Sequence, residues 1–351
     1  MNARFTNKLV KLSILVAAVA VALTGCGGSG ANTGSTGAKL AASYSLEIVE
    51  GPAGSSNFSL EKISPGGMVA GTYSNGTAYI AFTYSSGVRT DRTPTNASCD
   101  LTSVSDTGTL EGQDSLSVLP YSTAGAGYHL LQQPANVLNG WNSGRDTSGN
   151  AFLTFNHTNG HKVAMRESGG AFTPLSVAGA TDVGFGNVSP SGYAIGYAYF
   201  PADFGYYIFT PGATTGVKAL SSINTSDISS VNAINDSGTI GGSVKNGSGS
   251  DGFVSISGQI HTFAGLGGQH CYVNALNNAN IGVGASNVLN SPDHAFGWTS
   301  SDGIVDLNTR IPSTPGFTAA YANGIDTSGR IIGAGFLNGK QVGFIMTPVN
   351  P

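Results

Sequence analysis

The stretch "VNAINDSGTIGGS" (Val231–Ser243) returns, little changed, as "ANGIDTSGRIIGAG" (Ala322–Gly335). Its centre is an apolar residue, a polar turn former, two further residues and a glycine. The same pattern occurs as "ISPGG" (Ile63–Gly67), "VSDTG" (Val104–Gly108), "RDTSG" (Arg145–Gly149), "VSPSG" (Val188–Gly192), "INDSG" (Ile234–Gly238), "LNNAN" (Leu276–Asn280) and "IDTSG" (Ile325–Gly329). Successive copies begin 41, 41, 43, 46, 42 and 49 residues apart, so the chain is an array of seven units.

The chemistry of the phrase makes it a hairpin tip. Asn, Asp or Ser at the first turn position bonds the backbone two residues on, and the next pair suits a type I turn. The closing residue then takes the left-handed conformation of a G1 bulge, which favours glycine. Gly67, Gly108, Gly149, Gly192, Gly238 and Gly329 hold that place, and Asn280, the next most tolerant residue type, holds it in the sixth unit. A second glycine follows four residues later in most copies (Gly71, Gly112, Gly196, Gly242, Gly284, Gly333). It is expected to mark close approach of the neighbouring hairpin.

Beyond the tip, each unit continues into a strand pairing a small residue with a large apolar one: Ala81 and Phe82, Ala164 and Met165, Gly252 and Phe253, Ala295 and Phe296, Gly343 and Phe344. The second and fourth units fit less well, with His129 and Leu130 and with Tyr207 and Ile208 in that role. A final alternating stretch such as "QIHTFAGL" (Gln259–Leu266) supplies a fourth strand. Outside the leader no run has a helical period.

Seven four-stranded meanders of this length predict an all-β chain, a seven-bladed β-propeller of antiparallel blades. The seventh unit provides three strands before Pro351, while "YSLEIV" (Tyr44–Val49) stands alone ahead of the first unit. The N-terminal strand is therefore expected to complete the last blade and close the ring. An open β-solenoid is the alternative, but it would not make an orphan strand and an incomplete unit complementary.

The N-terminus carries Arg4, Lys8 and Lys11 and then an apolar run from Leu12 to Leu23 broken only by Ser13. This is the layout of a secretory signal, too short for a membrane-spanning helix. "LTGC" (Leu23–Cys26) resembles the lipobox of bacterial lipoproteins, which implies cleavage after residue 25 and lipidation of Cys26. Gly27, where an Asp would signal retention, implies export to the outer membrane. The organisation read from the chain is thus a signal peptide over 1–25, a flexible tether of small polar residues over 26–41, and the propeller over 42–351.

Charged residues are only 10% of the chain, against about a quarter in ordinary soluble proteins, and Gly contributes 52 residues. Losing the leader leaves 12 Lys plus Arg against 19 Asp plus Glu, an excess of seven negative charges. That sign argues against nucleic acid as a partner.

"HAFGW" (His294–Trp298), "GIVDLN" (Gly303–Asn308) and "GIDTSGRIIG" (Gly324–Gly333) resemble the bacterial extracellular repeat called HAF. The resemblance extends over roughly 42–351. It is good in the sixth and seventh units and weakest in the third, where Arg145 replaces the apolar residue and Leu153 the second glycine. It implies an exported propeller-type protein of unassigned activity.

Catalytic signatures are missing: the chain has no G-x-S-x-G elbow, phosphate-binding loop or H-E-x-x-H. No cofactor and no metal site is expected. Asp106, Asp146, Asp236 and Asp326 fall in the tips, one carboxylate per turn, too few for a calcium site. "HTNGH" (His157–His161) reads as a two-residue type I′ hairpin at Asn159-Gly160, which would put the two histidines on opposite faces. Cys99 and Cys271 hold equivalent places in units 2 and 6, three steps apart around a ring, beyond disulfide reach.

Two functions remain. One is a lipid-anchored scaffold of the cell envelope that binds protein or glycan through its loops, the longest being about Arg89–Cys99, Gln113–Gly127 and Asn287–Asp293. Aromatics such as Tyr121, Tyr128, Trp141, Phe200 and Tyr206 are its candidate contacts. The other is a propeller enzyme, a lyase or glycan hydrolase, with its site at the central channel mouth. Perturbed titratable groups at that mouth would favour the enzyme. An aromatic-rich rim would favour binding.

Overall fold

The computed structural model describes residues 38–123, 127–221, 223–289 and 291–349. The leader and Cys26 lie outside the described residues. Those described form seven four-stranded antiparallel sheets, with two single 3₁₀ turns at Thr225–Asp227 and Leu307–Arg310. The fold is a seven-bladed propeller.

In every blade the strand that leads into the tip phrase is innermost: Ser56–Ile63, Cys99–Val104, Val137–Arg145, Asp182–Val188, Ile228–Ile234, Cys271–Leu276 and Phe317–Ile325. Blade 7 then runs outward through Ile331–Leu337 and Lys340–Pro348 to Tyr44–Val49 as its outermost strand. That strand pairs over its whole length, from Tyr44 opposite Pro348 to Val49 opposite Gly343. Blade 1 then packs on the completed blade 7, where Phe58 and Leu60 share a core with Val49, Ile332 and Ile345. The packed chain starts ahead of this strand. Leu40 is buried beside blade 6, with its N–H donated to Asp302 at 2.9 Å, so residues 38–41 are seated rather than part of a loose tether.

The tips have the geometry their residues dictate. In blade 5 the Asn235 side chain accepts the N–H groups of Ser237 and Thr239, both at 3.0 Å, and Gly238 sits at φ 74°. Asn280 occupies the same place in blade 6 at φ 60°.

The second glycine has a different cause from the one inferred above. A Cβ on Gly333 would lie 1.8 Å from the Tyr321 carbonyl oxygen and 2.7 Å from the Phe344 ring, both within blade 7. The register places Gly71 opposite Phe82, Gly112 opposite Tyr121, Gly242 opposite Phe253, Gly284 opposite Phe296 and Gly333 opposite Phe344. Each aromatic ring lies over a bare stretch of its own sheet. The crowding is inside the blade, not between hairpins. Blade 3 has Leu153 opposite Met165 instead, and there Phe155 covers Gly140 of the inner strand.

This register also corrects two strand assignments. In blade 2 the third strand is Leu119–Ser122, with Tyr121 as its large residue, and His129–Leu130 is the outer strand. In blade 4 the residue opposite Gly196 is Tyr207, so the pair is Tyr206 and Tyr207. The three long loops shrink accordingly. Val88–Asp91 is the outer strand of blade 1, Leu119–Ser122 interrupts the second loop, and Asn287–Asp293 is the end of a hairpin.

Candidate functional site

The inner strands converge on a cavity of about 220 Å³ at the tip end of the channel. Its wall includes the residue that precedes each turn: Ile63, Val104, Val188, Ile234, Leu276 and Ile325, with Arg145 breaking the apolar ring in blade 3. Above them, Pro65, Asp106, Thr147, Pro190, Asp236, Asn278 and Thr327 form the rim.

The rim is tied from blade to blade. The Gly66 N–H is donated to Asp106 at 2.7 Å, Thr147 N–H to the Pro190 carbonyl at 2.8 Å, and Ser191 N–H to Asp236 at 2.7 Å. Asn278 donates its amide to Asp236 at 2.8 Å, and the Thr327 hydroxyl reaches the Pro65 carbonyl at 2.9 Å across the ring closure. At Asp236 burial opposes the charge, but the bonds from Asn278 and Ser191 outweigh it and hold the carboxyl below its usual range. Asp146 accepts the Asn150 N–H at 2.9 Å, and Asp326 accepts Arg330 Nε at 3.0 Å. These four aspartates are fastened to turns and neighbours.

Deeper, each inner strand carries one bulge just before the tip. In four blades the bulge turns a polar side chain toward the next blade. Asn232 donates to the Val273 carbonyl at 3.3 Å, Asn274 to Ala322 at 3.2 Å and Asn323 to Leu60 at 3.0 Å. Ser143 does the same to Phe185 at 3.2 Å. Sequence reasoning missed this ladder, although Asn recurring two residues before the apolar turn residue was its signal.

The exception at Arg145 has a partner. Its Nε lies 2.9 Å from Glu111 of blade 2, and Glu111, with 2% of its side chain exposed, also accepts the hydroxyl of Ser122 and the amide of Asn142. Burial pushes the Glu111 carboxyl up, against the pull of Arg145. In the six other blades the residue aligned with Glu111 is Ala70, Phe152, Ile195, Gly241, Val283 or Ile332. Arg145, which also reaches Glu167 of its own blade at 3.4 Å, and Glu111 have together replaced one apolar contact, which is why the third unit departs from the repeat.

Lys62 is the other cation on the cavity wall. The residues aligned with it are Ser103, Gly144, Asn187, Ala233, Ala275 and Gly324, all shorter. Its ammonium makes no hydrogen bond or ion pair with any described residue. Burial pushes its pKa down, only partly offset by the neighbouring Glu61.

At the opposite end of the ring, blade 4 presents a run of aromatic rings. Tyr197 and Tyr199 are 5.9 Å apart, Tyr199 and Phe204 4.9 Å, and Phe204 and Tyr206 5.1 Å. Tyr199 is 44% exposed. Lys162 of blade 3 sits over both Trp141, at 5.4 Å, and Tyr197, at 5.6 Å. Beside Phe204 opens a polar basin of about 580 Å³ lined by Asp203, Lys218, Asn224, Thr225, Ser226 and Asp227. Of the aromatics singled out from sequence, Trp141 and Tyr206 belong to this surface. Phe200 packs on Tyr207, Tyr128 bonds Asp114 at 2.6 Å, and Tyr121 is fully buried with its hydroxyl unpartnered.

The histidine hairpin differs from its expected form. Asn159 does not have a positive φ, Gly160 sits at φ 90°, and His157 N–H bonds the His161 carbonyl at 2.8 Å. The turn is type I with a G1 bulge, so His157 and His161 are paired across the hairpin, not placed on opposite faces. His161 faces Asp182 at 3.3 Å. Among the described residues no group of three or more His, Cys, Asp or Glu is arranged to hold a metal. Cys99 and Cys271 are free, buried thiols, each pushed up to about 12 chiefly by burial.

No family model and no curated protein matches the chain. Similar solved structures include a puromycin-hydrolyzing peptidase from Mycobacterium tuberculosis, 10% identical with a TM-score of 0.51, covering 84% of this chain and 50% of that one. The WD40 β-propeller domain of Doa1 is 13% identical with a TM-score of 0.48, covering 86% of this chain and 96% of that one. TolB from Acinetobacter baumannii is 13% identical with a TM-score of 0.44, covering 57% of this chain and 52% of that one. The chain spans about half the length of the TolB and peptidase chains. At such identities the likeness is one of fold alone.

Replacing Arg145 alone by Val should cost ~3–5 kcal/mol by stranding the buried Glu111, whereas Glu111→Ile with Arg145→Val restores the apolar contact of the other blades and recovers that loss. Urea unfolding of the wild type and these two variants checks this. Because the folded-state pKa of Glu111 is raised, wild-type stability also falls as pH rises through that value, a slope that Glu111→Gln removes.

Proposed function

We propose that this chain is an exported binding propeller, held at the bacterial outer membrane by lipid on Cys26, that takes a glycan on blades 4 and 5. Support for the anchor is the order basic segment, apolar run, "LTGC", then small polar residues. The resemblance to HAF repeats supports an extracytoplasmic setting.

The observation that carries the glycan reading is the aromatic run Tyr197, Tyr199, Phe204 and Tyr206 beside the polar basin. Flat rings offer apolar contact to the C–H faces of a sugar, and the amide, hydroxyl and carboxylate groups of the basin suit its hydroxyls. Envelope proteins are the other class of partner such a surface would serve, and the same screen addresses them. A catalytic reading needs uncommitted acids at the tip-end mouth, and the aspartates there hold turns and neighbouring blades together.

Cys26→Ser should abolish incorporation of radiolabelled palmitate and release the protein from the membrane fraction; unchanged labelling would refute the anchor. In affinity electrophoresis through gels containing neutral β-glucan, α-glucan, galactan or soluble chitin, the protein should be retarded by at least one. Tyr199→Ala or Phe204→Ala should weaken that retention about tenfold, ~1.4 kcal/mol, while Tyr321→Ala, an exposed tyrosine elsewhere, leaves it unchanged. Retardation by none of them, or retention indifferent to Tyr199 and Phe204, would contradict the assignment.

A further inference from the structure

A long side chain at position 62 is out of keeping with the ring. Where other blades place shorter residues, blade 1 sends a primary amine to the wall of the tip-end cavity, next to the apolar ring. No described residue hydrogen-bonds or ion-pairs with it. Lys62 is partly buried on the cavity wall, and a lysine so placed gives up its proton more readily than a fully exposed one and becomes a nucleophile.

We propose that Lys62 captures a small, neutral carbonyl compound, an aldehyde or ketone, at the channel mouth as a reversible imine. The charges around the cavity select for neutrality. Glu61 adjoins Lys62 on its own strand, Arg145 is engaged by Glu111, and Asp106 and Asp236 stand on the rim with Asp146 close by, while Asp326 is buried and paired to Arg330. An anion entering there meets the rim carboxylates, whereas an uncharged carbonyl meets apolar wall and an amine.

The chemistry balances without a further reactant. The lone pair of Lys62 Nζ forms the C–N bond as the carbonyl π electrons move to oxygen. The nitrogen then gives up its two protons and the oxygen departs as water, leaving C=N with no change of oxidation state. The depressed pKa of the amine leaves more of it unprotonated near neutral pH than in an exposed lysine. This site is at the opposite end of the ring from the aromatic surface, so the two assignments stand or fall separately.

The test is reductive trapping of the purified protein with benzaldehyde and sodium cyanoborohydride at pH 7, with the rate at each lysine read by peptide mass spectrometry. Lys62 should be labelled at least about tenfold faster than exposed Lys39, Lys218, Lys245 and Lys340, and the preference should vanish at pH 10.5. Glyoxylate, an anionic aldehyde, should show much less preference for Lys62. Lys62→Arg should lose the fast adduct while melting at the wild-type temperature. Labelling of Lys62 at or below the exposed rate at pH 7 would overturn the proposal, and an equal preference with glyoxylate would overturn the neutrality of the ligand.

Discussion

The structure depends on the pairing of Tyr44–Val49 with Lys340–Pro348. Each blade covers an apolar face of the next, so an open array would leave one face of blade 1 and one of blade 7 exposed. Leu60 of blade 1 and Ile332 and Ile345 of blade 7 are the residues that would be uncovered. Once Tyr44–Val49 is laid on Lys340–Pro348, the seventh sheet has its four strands and the two ends of the folded domain are held together. The rim bonds from Thr327 to Pro65 and from Arg330 to Gly67 then link blade 7 to blade 1 as the other blades are linked.

Closure also separates two working ends. The tip hairpins join the first and second strands of each blade, so all seven turns gather at one mouth and tie into a rim. The hairpins between second and third strands lie at the other end. There blade 4 exposes Tyr199 beside the polar basin. One end therefore has a bonded, polar rim; the other presents the aromatic run of blade 4. A rigid scaffold that frees one set of loops for recognition is the usual division of labour in such folds.

Much of the fold was legible because the tip phrase is local chemistry: Asn235 and Gly238 act within five consecutive residues. The orphan "YSLEIV" likewise identified itself by strand count. What was hidden lies in register. Gly333 is forced by Phe344, eleven residues on, and by the Tyr321 carbonyl, because a bulge in the inner strand sets what faces what. Spacing suggested crowding there but not its direction. The third strand of blade 2 does not show in the sequence because Tyr121 follows Pro120 where five other blades have Ala or Gly. At His157 to His161, Asn-Gly pointed to a two-residue turn, and one extra residue in the loop reversed which side chains meet. The Glu111–Arg145 pair spans 34 residues and two blades, so each residue alone looked like a lapse in the pattern. The aromatic surface required the same cross-strand knowledge, since Tyr197 and Tyr206 become neighbours only in the sheet.

Native-state hydrogen exchange of the N-terminal strand tests the closure most directly. If this pairing holds the ring, the paired amides of Tyr44–Val49 exchange only through global opening, with the same free energy and denaturant dependence as those of Ile331–Leu337 in the same sheet. Amides of Tyr44–Val49 that exchange through small, denaturant-independent fraying while the rest of the ring stays protected would show that the propeller stands without its clasp.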